Sequence, residues 1–378
     1  MARAWTFQDS RQKQQLGDKA PWLVGWIDPD GRRRSKKIGA KSTAQKFSRK
    51  LEGELTAGVF QGDCRKQWAD FRKEYEAKIA SGMSAGTQGC IADALNHFER
   101  ICKPKRVDSI KTQAIDGYVA KRRLERGRKK GSTVAEATIN KELRHLKAVL
   151  NVANEWGYLP AVPKVRMLKE PGKLKRYVTE EDFLTIYQAC EHARLPRLPG
   201  EHYTAAEWWR ALITMAYMTG WRVGEPLGLR RSDLDLDAGV AITRAETNKA
   251  KRDELVPLHP VVVEHLRGLV SYTEDVFPWP HHRRTLDVEF AKVQKSAGVH
   301  LPCPEDHEHT DACYLYSFHD FRRAFATMNA ATLSAEALQS LMRHQSYQTT
   351  QKYVNMGQHL AGSVDRLHVP AVLKMKAN

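Results

Sequence analysis

Two arginines, two histidines and one tyrosine stand in this chain in an order that suits attack on a phosphodiester. Thr219-Gly220-Trp221-Arg222-Val223-Gly224-Glu225 carries the first arginine, and Ser317-Phe318-His319-Asp320-Phe321-Arg322-Arg323 carries an H-x-x-R. Leu341-Met342-Arg343-His344 is followed by Tyr353, nine residues after the histidine. Arginine presents a permanently charged planar fork that fits phosphate oxygens, and tyrosine can serve as a covalent nucleophile. The chemistry needs a nucleophile, cations over the non-bridging oxygens and an acid for the leaving oxygen. His319 and Arg322 are three apart on a predicted helix, so an imidazole and a guanidinium can approach one phosphate together. Arg222, at a helix start, can point into a cleft while backbone N–H groups help to hold an anion. Glu225 is read as a structural partner for nearby backbone or charge. A phenol with a pKa near 10 attacks poorly unless a cation cluster and a base assist it. Tyr347 is the rival nucleophile, in a turn-like position close to His344. Each residue alone has a plainer reading: Arg222 as a surface arginine, Tyr353 as a core aromatic.

These residues need elements to position them. Leu212, Ile213, Met215, Ala216 and Met218 predict an apolar helix leading into the Arg222 motif. Val240–Thr243 and 254–258 read as strands around a basic turn carrying Lys249, Lys251 and Arg252. Thr179-Glu180-Glu181-Asp182 reads as a helix N-terminus that opens a domain over 177–378. Residues 166–176, rich in Pro, Gly and cations, form a basic linker. Residues 63–165 read as helical, from the periodicity of Trp68, Phe71, Tyr75 and Ile79, of Ile91, Leu95 and Phe98, of Ile115, Tyr118 and Val119, and of Ile139, Leu143, Leu146 and Leu150. A third helix is expected over 109–124, and Ser132-Thr133 offers the start of a fourth. Residues 1–62 form a small basic module. In it a strand at Trp22–Ile27 turns through Asp28-Pro29-Asp30-Gly31 into Arg32-Arg33-Arg34-Ser35-Lys36-Lys37, and a helix follows with Ala44, Phe47, Leu51 and Leu55 on one face. The fold class is mainly α with small β-hairpins, α+β overall.

The 378 residues carry a net charge of +17 and an isoelectric point near 9.6. That balance points to an anionic polymer as partner, because Lys and Arg neutralise phosphates and release counterions. Candidate contacts are Arg32, Arg33, Arg34, Lys36 and Lys37 in the first module, and Arg122, Arg123, Arg128, Lys129 and Lys130 in the helical block. A basic hairpin could equally be a solvated edge guarded against aggregation. No apolar run reaches membrane-spanning length, and Met1–Trp5 has no signal-peptide core. Six cysteines in a chain this long do not read as a disulfide framework, so a reducing, cytoplasmic setting is expected. Cys303, His307, His309 and Cys313 place two thiols and two imidazoles within one loop, a candidate structural zinc site of non-standard spacing. Its plainer reading is a polar loop with incidental thiols.

The order and spacing of the Arg222, His319-x-x-Arg322 and His344…Tyr353 motifs resemble the tyrosine recombinase (phage integrase) family. The resemblance implies a helical core-binding domain and a mixed catalytic domain, preceded by an arm-type DNA-binding module. It makes Arg222 and Arg322 the phosphate clamp, with His319 beside them, and gives His344 a hydrogen bond to the scissile phosphate. Tyr353 becomes the nucleophile, forming a 3′-phosphotyrosyl link. A general-acid lysine is expected in the strand turn, at Lys249, with Lys251 as the alternative. Arg323 stands where the family often has histidine, and Arg343 where it usually has glycine. The implied function is site-specific DNA recombination for a mobile element, on double-stranded DNA, by a homo-tetramer, with no cofactor required for catalysis. Accessory DNA-bending or directionality factors and a nucleoid-associated location in a prokaryotic or phage setting would accompany it. The alternatives are relaxation of DNA in the manner of a type IB topoisomerase, and a non-catalytic DNA-binding protein of this fold.

Overall fold

The computed structural model describes residues 4–28, 31–57, 66–127, 131–172, 175–246, 252–301 and 315–356. The chain divides into two compact units, Met1–Gly172 and Lys173–Asn378.

The first unit opens with strand β1 (Ala4–Gln8) and helix α1 (Ser10–Leu16), neither foreseen from the sequence. Strands β2 (Trp22–Ile27) and β3 (Arg33–Gly39) form the expected hairpin, and β1 pairs antiparallel with the other side of β2. Trp5, Thr6, Phe7 and Gln8 alternate apolar and polar, but over too few residues to name a strand alone, and pairing with β2 makes it one. The Asp28 carboxylate closes the turn by accepting from Arg32 N–H at 2.7 Å and from Arg34 Nε at 3.1 Å. Helix α2 (Lys41–Thr56) covers one face of the sheet, burying Ala44 and Leu51 against Val24.

Four helices follow: α3 (Trp68–Lys78), α4 (Ala85–Cys102), α5 (Thr112–Leu124) and α6 (Glu136–Glu155). Their shared core holds the periodic residues, with Phe71, Leu95, Phe98, Tyr118, Leu143 and Leu150 almost fully buried. Helix α6 begins later than Ser132-Thr133 suggests. Those residues fold back on the end of α5 instead, with Gly127 N–H donating to Ser132 O at 2.7 Å and Val134 N–H to Glu125 O at 3.0 Å. The first part of the expected linker is fastened to this unit, since Asn140 accepts from Leu168 N–H and donates to Leu168 O.

Arg122 needs correction as a phosphate contact. It is buried, and its fork grips Glu142 (Nη2 at 2.8 Å, Nε at 3.1 Å) and Glu125 (Nη1 at 2.7 Å), while Tyr118 also donates to Glu142. The basic run reads in sequence as a row of phosphate contacts, but position 122 falls on the inward side of α5. Arg123, its neighbour, is exposed.

In the second unit α7 (Glu180–Ala189) is capped by Thr179, whose hydroxyl accepts from Asp182 N–H. Helix α8 (Ala205–Thr219) is buried nearly all round, as its apolar run suggested, with Trp208, Trp209, Leu212, Ile213 and Met215 inaccessible. A helix enclosed on every side must be central. A short helix α9 (Gly224–Leu227) follows, then a sheet of β4 (Leu234–Asp235), β5 (Val240–Thr243) and β6 (Glu254–Pro257) in that order. Helices α10 (Pro260–Arg267), α11 (Arg283–Ser296), α12 (Phe318–Asn329), α13 (Ala335–Leu341) and α14 (Tyr347–Gln351) complete the unit. An aromatic stack fixes α12: Trp209 of α8 lies 5.6 Å from Phe290 of α11, and Phe290 4.9 Å from Phe318. No described helix is long and apolar enough to cross a membrane.

The buried Arg122 pair gives a stability prediction. Arg122→Ala should cost about 3 kcal/mol in urea unfolding of the intact chain, because Glu142 keeps its buried charge without its main counter-ion. Arg123→Ala, changing only an exposed side chain, should stay within about 0.5 kcal/mol.

Candidate active site

Helix α8 ends at Gly220, whose left-handed φ of 62° turns the chain. A Cβ there would come within 2.7 Å of the Phe325 ring, so glycine is required twice over. Arg222 follows in the turn. Its backbone N–H donates to Glu225 Oε2 at 2.8 Å, and its Nη1 reaches Glu225 Oε1 at 3.3 Å. Glu225 therefore serves the structural part read for it.

Arg322, on α12, is almost fully buried. Nη1 donates to Gly220 O at 2.5 Å, and Nη2 donates to Met342 O at 2.6 Å and to His344 Nε2 at 2.7 Å. Two chain segments distant in sequence, the Gly220 turn and the bend at Met342 and His344, are thus tied to one guanidinium carried on a third. Of its five donors two remain, Nε–H and the second hydrogen of Nη1. Nε has no hydrogen-bond partner among the described residues. Leaving a buried donor unmade costs about 1–3 kcal/mol, which an anion in the cleft would offset. That cleft, of about 280 Å³, is lined by Trp221, Arg222, Asp287, Ser317, His319 and Arg322.

Asp320 is buried behind the cleft, accepting from Ser317 N–H and Oγ and from Arg323 Nη1 at 2.8 Å. Arg323 is therefore tied to its own helix, and Arg322 alone of the two arginines holds the Gly220 turn.

His344 is buried, and both its ring nitrogens are engaged. Because arginine can only donate, Nε2 accepts from Arg322, which leaves Nδ1 to donate to Thr350 Oγ1 at 2.9 Å. Burial, then the charges of Arg322, Arg222 and Arg343, hold its pKa down to about 4. His319 lies at the cleft mouth, where solvent still reaches it. Partial desolvation, then Arg323 and Arg322, lower its pKa below the usual imidazole value. Both rings are neutral at pH 7.

Tyr353 follows α14. Its ring centre stands 4.9 Å from that of His319 and 5.1 Å from that of His344, with the Arg322 guanidinium carbon 5.2 Å from the ring centre. Arg222, His319, Arg322, His344 and Tyr353 thus converge in one unit. Tyr347 instead opens α14. Lys249 and Lys251 lie outside the described residues, between β5 and β6 in sequence, and the register of those strands pairs Thr243 with Glu254. Two contributors escaped the sequence reading. Thr350, fully buried, sets the His344 tautomer, and Arg343 is drawn into the site on Glu225. Their traces in the sequence are Thr350 standing three residues before Tyr353 and Arg343 standing in place of a glycine, and neither names its partner.

Among the candidate polymer contacts, Arg32, just before β3, and Arg33, Arg34, Lys36 and Lys37, on it, are all exposed. Register puts Arg33, Ser35 and Lys37 on the sheet face away from α2, with Trp5 and Gly25. Arg33 stacks on Trp5 at 5.2 Å, and Trp5 lies so close to Gly25 that a Cβ there would meet it at 2.6 Å. On the other face Lys36 covers Phe47 at 5.3 Å. Arg128, Lys129 and Lys130 lie outside the described residues, as do Cys303, His307, His309 and Cys313.

Residues 176–359 match the phage integrase family. The chain is 23% identical over 312 residues to the tyrosine recombinase XerC of Thermodesulfovibrio yellowstonii, covering 77% of this chain and 93% of that protein. It is 29% identical over 228 residues to a Sinorhizobium fredii protein with the provisional name integrase/recombinase y4rE, covering 56% of this chain and 66% of that one. Its fold is similar to a lambda integrase dimer bound to a COC′ core site, with TM-score 0.57 and 18% identity over 92% of this chain and 93% of that one. It is similar too to the Tn1549 transposon integrase in complex with circular-intermediate DNA, with TM-score 0.57 and 16% identity over 80% and 100% of the two chains. The chain belongs, through residues 176–359, to the phage integrase, or tyrosine recombinase, family. It is a DNA strand-transfer enzyme of the site-specific recombinase type.

The depressed pKa of His344 sets an acid sensitivity. Its folded value of about 4 lies below the ordinary 6.5, so the unfolded chain takes up the proton first as pH falls. Its contribution is whole above pH 6.5 and is lost progressively below it, by about 2 kcal/mol at pH 5. In His344→Asn the drop in unfolding free energy between pH 7 and pH 5 should shrink by about that amount in urea titrations.

Proposed function

We propose that this protein cuts and rejoins double-stranded DNA at specific sites through a 3′-phosphotyrosyl intermediate, in the service of a mobile element. The observation that carries the reading is Tyr353 seated between two neutral imidazoles beneath the Arg322 guanidinium, with Arg222 on the same cleft.

The scissile phosphate would lie against Arg222 and the unspent donors of Arg322, which neutralise charge gathering on the non-bridging oxygens. Tyr353 loses its phenolic proton as its oxygen bonds to phosphorus, and the bond from phosphorus to the 5′ oxygen breaks. His319 suits the receiving base, being neutral and beside the ring, whereas His344 Nε2 is already occupied by Arg322. Lys249 would protonate the departing 5′ oxygen, with Lys251 as its alternate. A second 5′-hydroxyl then attacks the phosphotyrosine and restores a phosphodiester. One ester replaces another, so the exchange needs no external energy source. The open face of the β1–β3 sheet, with Trp5, Arg33 and Lys37, would bind a further DNA segment, while exposed Arg123 and the 128–130 cations would follow the backbone. Strand exchange joins paired sites, and a homo-tetramer supplies four tyrosines for four strands. Accessory DNA-bending or directionality factors fit such an assembly.

A DNA duplex taken from the sequences flanking the gene, nicked near the cleavage point, tests the nucleophile. Wild type should accumulate a covalent adduct on a denaturing gel, and Tyr353→Phe should bind the duplex without forming it. Arg222→Ala and Arg322→Ala should slow adduct formation by about 10²–10³. An adduct in Tyr353→Phe would move the nucleophile elsewhere, with Tyr347 next.

The 303–313 loop is proposed as a structural zinc site on its residue types alone. Protein purified without chelators should then carry about one zinc per chain, and chelation should lower its melting temperature. Zinc-free protein with an unchanged melting curve would leave the loop a polar insertion.

A further inference from the structure

Arg343 occupies a position that costs the backbone free energy. Its φ is +54°, in the left-handed region where glycine is at ease and a residue with a Cβ is not. Its side chain is only 5% exposed, and its guanidinium lies 4.7 Å from the centre of the Trp221 ring. Nη2 donates to Glu225 Oε2, while Nε and Nη1 have no hydrogen-bond partner among the described residues. A strained, half-satisfied buried cation does not arise from packing needs alone.

The carboxylate it holds is the one that holds Arg222. Glu225 is itself 5% exposed and accepts both from Arg222 N–H and from Arg222 Nη1, the latter at 3.3 Å. A buried glutamate with a single arginine within reach takes that fork in a close bidentate pair and cancels its charge. Here Arg343, which lines a groove with Glu254, Val256 and Ser340, donates to Oε2, the oxygen that also accepts from Arg222 N–H. Arg222 is left with one long side-chain contact and the rest of its fork toward the cleft. The three groups sum to +1; without Arg343 they would sum to zero.

We propose that Arg343 is a positioning residue that occupies Glu225, keeping Arg222 turned to the scissile phosphate and the site net positive. The proposal rests on the reading of Arg222 as part of the phosphate clamp. Arg343 does not line the cleft and touches no reacting atom.

The test is single-turnover adduct formation on the nicked duplex, with rate measured against DNA concentration. Arg343→Gly should lower the limiting rate about tenfold or more while half-saturation moves only a few-fold, since Arg222 binding in the transition state is what is lost. Glu225→Gln/Arg343→Gly removes both buried opposite charges and restores the +1 sum. It should therefore recover about tenfold over Arg343→Gly, a coupling that two independent losses would not produce. Arg343→Lys, with the charge but not the fork, should fall between. Wild-type rates in Arg343→Gly, or a double variant slower than that single variant, would overturn the proposal. Should Arg343→Gly lack a cooperative melting transition, Arg343→Gln and its Glu225→Gln partner are read by the same two criteria. Tyr353→Phe runs alongside. If it still forms adduct, the reading of the site has failed; if it does not and the Arg343 variants behave as wild type, only the role of Arg343 has.

Discussion

The catalytic unit depends on what the Arg322 guanidinium holds together. Gly220 O comes from one stretch of chain and Met342 O and His344 Nε2 from another far along it, and each accepts a hydrogen bond from this one buried cation. A guanidinium away from water is costly unless its donors are met, and that cost enforces the arrangement. Moving the Gly220 turn, or the bend before His344, would strip a buried charge of a partner. The same contacts bring the cation to the face of Tyr353, so the constraint that completes the fold also assembles the site.

An apolar frame makes this tie possible. Trp209, Phe290 and Phe318 stack across three helices and hold α12 against α8, which sets where Arg322 and His319 emerge. Phe325 fills the space that a side chain at position 220 would take. Near the cleft the charges are crowded: Arg222 and Arg343 share one buried carboxylate, Glu225, and Arg322 adds a third cation. Desolvation, then the field of the nearby arginines, lowers the pKa of both neighbouring imidazoles and favours their neutral form, suited to accepting a proton.

In the first unit cations serve two purposes. Arg122 spends its fork inside the four-helix core on Glu142 and Glu125, as a structural pair. Arg33 and Lys36 instead lie on aromatic rings at the surface of the sheet, their stems packed and their charges in water. Similar residue types, with similar neighbours in sequence, thus end in opposite environments.

Much of this was legible in the residues. The helical periodicity of 63–165, the enclosed helix before Gly220, the two strands around the basic turn and the motifs at Arg222, His319-x-x-Arg322 and His344…Tyr353 each rest on local spacing, which a helix or strand converts directly into a face. Other features rested on distance. That 4–8 would be a strand depended on β2 lying alongside. The inward turn of Arg122 depended on Glu142, twenty residues away in the chain. The tautomer of His344 was set by Arg322 and Thr350 together, and the capture of Arg343 by Glu225 spans 118 residues. Spacing along a chain decides which side chains share a face. Which buried donor meets which acceptor is decided only when separate segments close on one another, because the free energy of leaving either unmet exists only once water has been excluded.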